Sequence, residues 1–194
     1  MTPVRHRSVE TESADLTDGE ALRRLAQGET SALASIYDRH HAALRRFVAQ
    51  ATNNAHDVDD MLHATFLTAT KAAASFDGRE SCRPWLFGIA VRLLQRRKRT
   101  LARWSRALRE LTTHLGDAQL DPHRELSARD DINCLSIALG RLSEAKRVAL
   151  CLAEVEGLTA DEIAHALGIP VGTVWTRLHH ARRELRTLMR GREA

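Results

Sequence analysis

Apolar residues in this chain recur at three- and four-residue intervals, the spacing of one helix face, and breaks fall at short runs of Gly, Asn, Asp and Pro. The pattern predicts an all-α protein of two small helical domains joined by a flexible linker. Met1–Thr17 is polar and is read as a disordered N-terminus. The first domain, residues 18–109, begins with a short helix over Asp18–Gln27 that stops at Gly28. A longer helix from about Glu29 carries Leu33, Ile36, Tyr37, Leu44, Phe47, Val48 and Ala51, and Thr52-Asn53-Asn54 breaks it. Asp57 is expected to cap the next helix, whose stripe is Val58, Met61, Leu62, Thr65, Phe66, Ala69, Ala73 and Phe76. After the loop from Asp77 to Ser81, Pro84 opens a helix with Trp85, Leu86, Ile89, Ala90, Leu93 and Leu94 on its apolar side. Trp85 beside Leu86 and Ile89 is read as core packing, not as a stacking platform.

Residues 110–130 lose periodicity, contain Gly116 and Asp121-Pro122, and read as the linker. The second domain, 131–190, starts with Ile132, Leu135, Ala138, Leu139 and Leu142 on one helix. Ser143 is expected to cap a second helix that buries Val148, Leu152 and Val155 and ends near Gly157. Thr159 to Glu162 has the Thr-x-x-Glu spacing of a capping box, and the helix it starts should stop at Gly168. Pro170, unable to continue that helix, begins another in which Val174, Leu178, Ala181, Leu185 and Leu188 form an inward stripe. This is a helix-turn-helix with a donor-rich outer surface: Thr173, Trp175, Thr176, Arg177, His179, His180, Arg182 and Arg183. An ordinary helical hairpin with a solvated basic face is the competing reading. Small Ala164, Gly168 at the turn and apolar Val174 favour the DNA reader.

Charge sharpens the picture. The 194-residue chain has a net charge of +4, and 43% of its residues are hydrophobic, while aromatics are only 4%, which suits helical cores and a polyanionic partner. Between Arg92 and Arg109 stand eight basic residues with Trp104 among them and no acid. A charge run is ordinarily a solvated face; without acids it suits phosphate contact. No apolar run is long enough to span a membrane and Met1–Glu20 is polar, so neither membrane insertion nor secretion is expected and the chain is placed in the cytoplasm. Cys82, Cys134 and Cys151 lack a Cys-x-x-Cys pair and read as buried thiols. His40-His41 and His179-His180 are adjacent on helices and diverge by about 100°, so no metal site or other cofactor is expected. No nucleophile–base set or phosphate loop appears, and the chain is not read as an enzyme.

Two sets of residues resemble one family in the right order. Asp57-Val58-Asp59-Asp60-Met61-Leu62-His63-Ala64-Thr65-Phe66, Ser75-Phe76-Asp77 and Trp85-Leu86-Phe87-Gly88-Ile89-Ala90 are similar to region 2 of the extracytoplasmic-function (ECF) sigma factors, group 4 of the sigma-70 family. Arg141-Leu142-Ser143, Glu156 to Ala164 and Pro170-Val171-Gly172-Thr173-Val174 resemble its region 4. The resemblance covers about Asp18 to Arg190. It implies a promoter-specificity subunit that docks on the clamp helices and flap of RNA polymerase core, recognises promoter DNA and is controlled by an anti-sigma factor.

The implied roles fall on named residues. Asp57, Asp59, Asp60 and His63 would meet core polymerase. Asp77, Gly78, Arg79, Ser81, Arg92, Arg96, Arg97 and Arg99 would hold the −10 element as it melts. The helix from Val171 would enter the −35 major groove, with Arg177, Arg182 and Arg183 on phosphates and Trp175, Thr176, His179 and His180 towards base edges. The chain departs from the family at His63-Ala64, where Gln-Glu is usual, at Arg92 in place of Asn, and at Trp175 and His180 where Arg is common. A repressor acting without polymerase leaves the first domain without a role. A sigma mimic that only sequesters an anti-sigma factor conflicts with the retained basic segment.

Overall fold

The computed structural model describes residues 16–52, 57–79, 81–112 and 137–190, with the side chains of 105–112 and 190 excepted. No strand occurs among them. Helix α1 spans Asp18–Ala26, with Thr17 as its N-cap. Thr17 Oγ1 accepts from the Glu20 N–H at 3.3 Å while Glu20 Oε2 accepts from the Thr17 N–H at 3.0 Å, a reciprocal cap that closes two otherwise unpaired donors. Helix α2 spans Ala32–Thr52 and buries Ile36, Leu44, Phe47 and Val48.

Helix α3 runs Val58–Ala72, but Asp57 does not cap it with its side chain. Its carboxylate instead takes Arg97 from the next helix, a charged partner that outcompetes a neutral backbone donor. The helix also ends before Phe76. A short 3-10 turn at Ala73–Ser75 follows, and extended Phe76 packs edge-on against Trp85 at 5.6 Å between ring centroids. Trp85 is accordingly half-buried in the core. Helix α4 covers Arg83–Thr112, continuing beyond the expected boundary at 109; residues 113–136, which hold most of the expected linker together with Ile132 and Leu135, lie outside the described residues.

In the C-terminal half, residues 137–141 are helical and α5 spans Glu144–Leu150. Ser143 stands at its start without a side-chain cap; its carbonyl accepts from Arg147 N–H at 2.9 Å. The helix widens into a π turn over Cys151–Val155. Leu152 is buried there, whereas Val155, expected inside, is 42% exposed because the widened turn directs it to the rim of a groove. Helix α6, Ala160–Leu167, has the expected Thr159–Glu162 capping box and stops at Gly168, whose φ of +63° is the left-handed conformation that Gly adopts without strain. Helix α7, Val171–Arg190, completes the fold.

The two halves do not stand apart. α4 packs on α6, and α2 packs on α5 and the π turn, so Leu22, Phe47 and Phe87 belong to one continuous core with Leu152, Ile163 and Val174. Helices α4 and α6 approach tightly at Gly88. A Cβ there would lie 2.5 Å from the carbonyl oxygen of Ala166, so only the absence of a side chain allows α4 and α6 to meet.

Candidate nucleic-acid interface

Burial of Val174, Leu178 and Ala181 orients α7 and turns the opposite side outward. Thr176, His179, His180 and Arg183 are exposed on that side, and Trp175 beside them is 57% exposed. Thr176 Oγ1 donates to Gly172 O at 2.9 Å, which spends its hydrogen within the helix and leaves the oxygen as an outward acceptor. The His179 and His180 rings are 5.7 Å apart and inclined at 59°, so they present separate donor–acceptor edges. Thr173 and Arg177 are half-buried on the flank. Arg182 differs from Arg183. Its Nε and Nη2 both donate to Glu154 Oε1, at 2.9 and 2.6 Å, which holds it against the π turn and away from the centre of the outer face.

The second expected set is only partly assembled. Asp77, Gly78 and Arg79 form an exposed turn, with Gly78 at φ +75° and Arg79 Nε donating to Asp77 Oδ2 at 2.6 Å. Burial acts to raise the Asp77 pKa, but the Arg79 guanidinium and then His165 outweigh it and hold the carboxyl below its ordinary value. Ser81 turns inward instead, its hydroxyl 3.4 Å from Asp18 Oδ2 and accepting from Arg83 N–H at 3.2 Å. Arg92, Arg96 and Arg99 are exposed along α4, while Arg97 is drawn to Asp57. The structure therefore separates Ser81 and Arg97 from the exposed basic residues.

On α3, Asp59, Asp60 and His63 are exposed, whereas Asp57 is half-buried against Arg97 and Asp59 pairs with Arg45 of α2. Two apolar features escaped the sequence reading. Met61, Ala64, Leu93, Leu101 and Trp104 line a groove between α3 and α4, with Trp104 72% exposed, so the basic segment has an apolar edge. Leu139, Leu150, Val155 and Leu185 line another in the C-terminal half. Both grooves join residues far apart in the chain. The only local clue was an aromatic placed among arginines.

Asp18 anchors the start of α4 from the other side of the core. Its carboxylate accepts from Cys82 N–H at 2.9 Å and from Arg39, and its Oδ2 lies 2.8 Å from His40 Nε2. Burial would raise its pKa, but the bonds to His40 and Cys82 prevail and hold it well below the usual carboxylate range. Asp18, His40 and Cys82 thus bring three ligand-type atoms within 4.8 Å, a juxtaposition that the histidine spacing could not disclose. Burial, reinforced by the Asp18 carboxylate, pushes the Cys82 thiol far up, and the carboxylate is engaged by Arg39, His40, Ser81 and Cys82; the arrangement is an internal polar knot.

Comparison with known proteins matches residues 36–104 to "Sigma-70 region 2" and residues 132–185 to "Sigma-70, region 4". The chain is 33% identical over 178 residues to the RNA polymerase sigma factor NccH of Alcaligenes xylosoxydans xylosoxydans, covering 88% of this chain and 94% of that protein. It is 30% identical over 162 residues to the ECF RNA polymerase sigma factor SigL of Mycobacterium tuberculosis, covering 83% and 90%. Among solved structures it is similar to CnrH in complex with the cytosolic domain of CnrY, with a TM-score of 0.64 and 26% identity over 90% of this chain and 97% of that one.

Proposed function

The chain belongs to the ECF group of the sigma-70 family, and on that premise we propose that it is a promoter-specificity subunit whose separate faces divide the work of initiation. The exposed acids of α3 and the apolar groove beside them meet the clamp helices of RNA polymerase core, and the groove lined by Leu150, Val155 and Leu185 receives the flap. The turn at Asp77–Arg79 and the arginines of α4 hold the unpaired −10 strand. Unstacking a base costs a few kcal/mol, which phosphate contacts and an enclosing surface must offset. α7 enters the −35 major groove with Thr176, His179 and His180 towards the bases and Arg183 on phosphate.

The observation that carries this reading is α7: a capped helix-turn-helix presents an uninterrupted polar face to solvent, on a chain that also contains region 2. The protein works as a non-catalytic subunit in the cytoplasm, and none of the described helices is long and apolar enough to cross a membrane. Control by an anti-sigma factor is supported by the likeness to CnrH bound to CnrY. Transcription by purified core polymerase on a genomic promoter library tests the reading. Addition of this protein should yield transcripts from a discrete promoter set; a transcript profile identical to that of core alone would refute it.

A further inference from the structure

Trp175 is the largest apolar side chain left open on α7, at 57% exposure. Leu101, Trp104 and Val155 are exposed too, but each lines an apolar groove, and Trp175 lines neither of those grooves. Among the described residues no ring packs on its indole, and its Nε1 makes no hydrogen bond. Trp85, by contrast, is half-buried and meets Phe76 edge-on. A lone exposed apolar residue is ordinary on a protein surface. Here its place on the helix gives it a meaning.

Trp175, His179 and Arg182 fall at i, i+4 and i+7, so they share one flank of α7. Arg182 is drawn back to Glu154, with Nε and Nη2 both on Oε1. Near the start of the helix this flank therefore offers an indole and an imidazole, both exposed. Trp175 stands about 6 Å along the axis from Val171. That is the N-terminal part of a recognition helix, the part that reaches base edges in the major groove.

An indole finds few partners there. Its Nε1 is a single donor, whereas guanine is read by two donors on N7 and O6 and adenine by a donor and an acceptor together. Its ring face is apolar, and the apolar group that the major groove displays is the C5 methyl of thymine. We propose that Trp175 reads a thymine in the −35 element by covering this methyl, so that the chain selects thymine on that flank of α7. The proposal rests on the −35 assignment of α7 above.

Holoenzyme assembled from the full chain and purified core polymerase, on a promoter recovered from the library, tests it. Each thymine of the −35 element, on either strand, is replaced singly by deoxyuracil, which deletes the methyl and keeps every hydrogen-bonding group. At one of these positions wild-type affinity should fall about fourfold, the worth of one buried methyl. Trp175→Ala changes an exposed side chain to a strong helix former, so the fold should hold, and this variant should bind the thymine and uracil promoters equally at that position. Uracil in the −10 element should affect both proteins alike. Selection from a −35 library with Trp175→Arg should lose the preference for thymine there. Wild-type binding that ignores every −35 uracil overturns the proposal, as does an equal loss in Trp175→Ala or retention of thymine by Trp175→Arg; each leaves the assignment of α7 standing. Weaker assembly of Trp175→Ala with core and an unchanged promoter preference would place the indole on the polymerase and overturn the proposal. Wild-type holoenzyme indifferent to scrambling of the −35 element overturns the assignment and the proposal together.

Discussion

The proposed −35 and −10 surfaces are built in opposite ways. The first is one face of one helix: once Val174, Leu178 and Ala181 are buried, the direction of Thr176, His179 and Arg183 follows from helical geometry. The second is gathered from a turn, the start of α4 and an anchor, Asp18, that bonds Cys82 across 64 positions of chain. The helix stands open to solvent, and the gathered surface is contacted by α6. A reading face made by local periodicity tolerates rearrangement around it. One made by tertiary contacts depends on each of them.

Asp18→Ala should separate the two surfaces most. It removes the acceptor shared by His40, Arg39 and Cys82 N–H, and loss of one member of a buried charged set costs about 3–5 kcal/mol. Urea unfolding should show that loss, and −10 binding should fall before −35 binding does. A midpoint indistinguishable from the wild type would mean that the knot is dispensable. The same group predicts acid sensitivity. Because its folded pKa is depressed, its contribution is present above the ordinary carboxylate range and fades as pH falls through and below it. In the wild type, stability should therefore decline on acidification, and Asp18→Asn should flatten that part of the profile.

Gly88→Ala comes next in size. The added methyl meets backbone, the Ala166 carbonyl, which cannot rotate away, and overpacking of this kind costs about 1–3 kcal/mol. Its effect should fall on the junction. Helix content by circular dichroism should hold, since Ala favours helix over Gly, while small-angle scattering should show an enlarged particle. An unchanged radius with raised thermal stability would show that α4 and α6 shift apart without loss.

Smaller and more finely divided effects belong to α7. Arg183→Ala should weaken binding to all −35 sequences alike and reduce the salt slope by about one. Arg182→Ala should do less, because Glu154 already holds that guanidinium. Substitution of Thr176, His179 or His180 should change preference at individual positions by about 1–3 kcal/mol. Selection from a −35 library with wild type and His180→Arg measures this directly. Identical preferences would show that His180 does not face bases.

Much of α7 was legible in the chain because its signals are local: the Thr159–Glu162 box, Gly168 and Pro170 act within a few residues of where they stand. The errors are of another kind. Asp57 has the right chemistry for a cap, yet Arg97, forty positions on, offers its carboxylate a charged partner. Val155 keeps helical spacing, but the π turn rotates it out of the stripe. Ser81 and Arg97 carry suitable groups for a DNA surface and are turned away by Asp18 and Asp57.

By itself the sequence determined that this protein is helical, where the helix-turn-helix begins and turns, and which side of α7 faces solvent, because capping, backbone conformation and periodic burial are near-neighbour effects. Only the tertiary structure decided that Asp18 would hold the start of α4, that Glu156 would be buried between two arginines of the other half, and that α6 would lie on the Asp77–Arg79 turn. Those contacts join positions many residues apart, and they depend on a close approach of two helices that a single glycine permits and that no local pattern encodes.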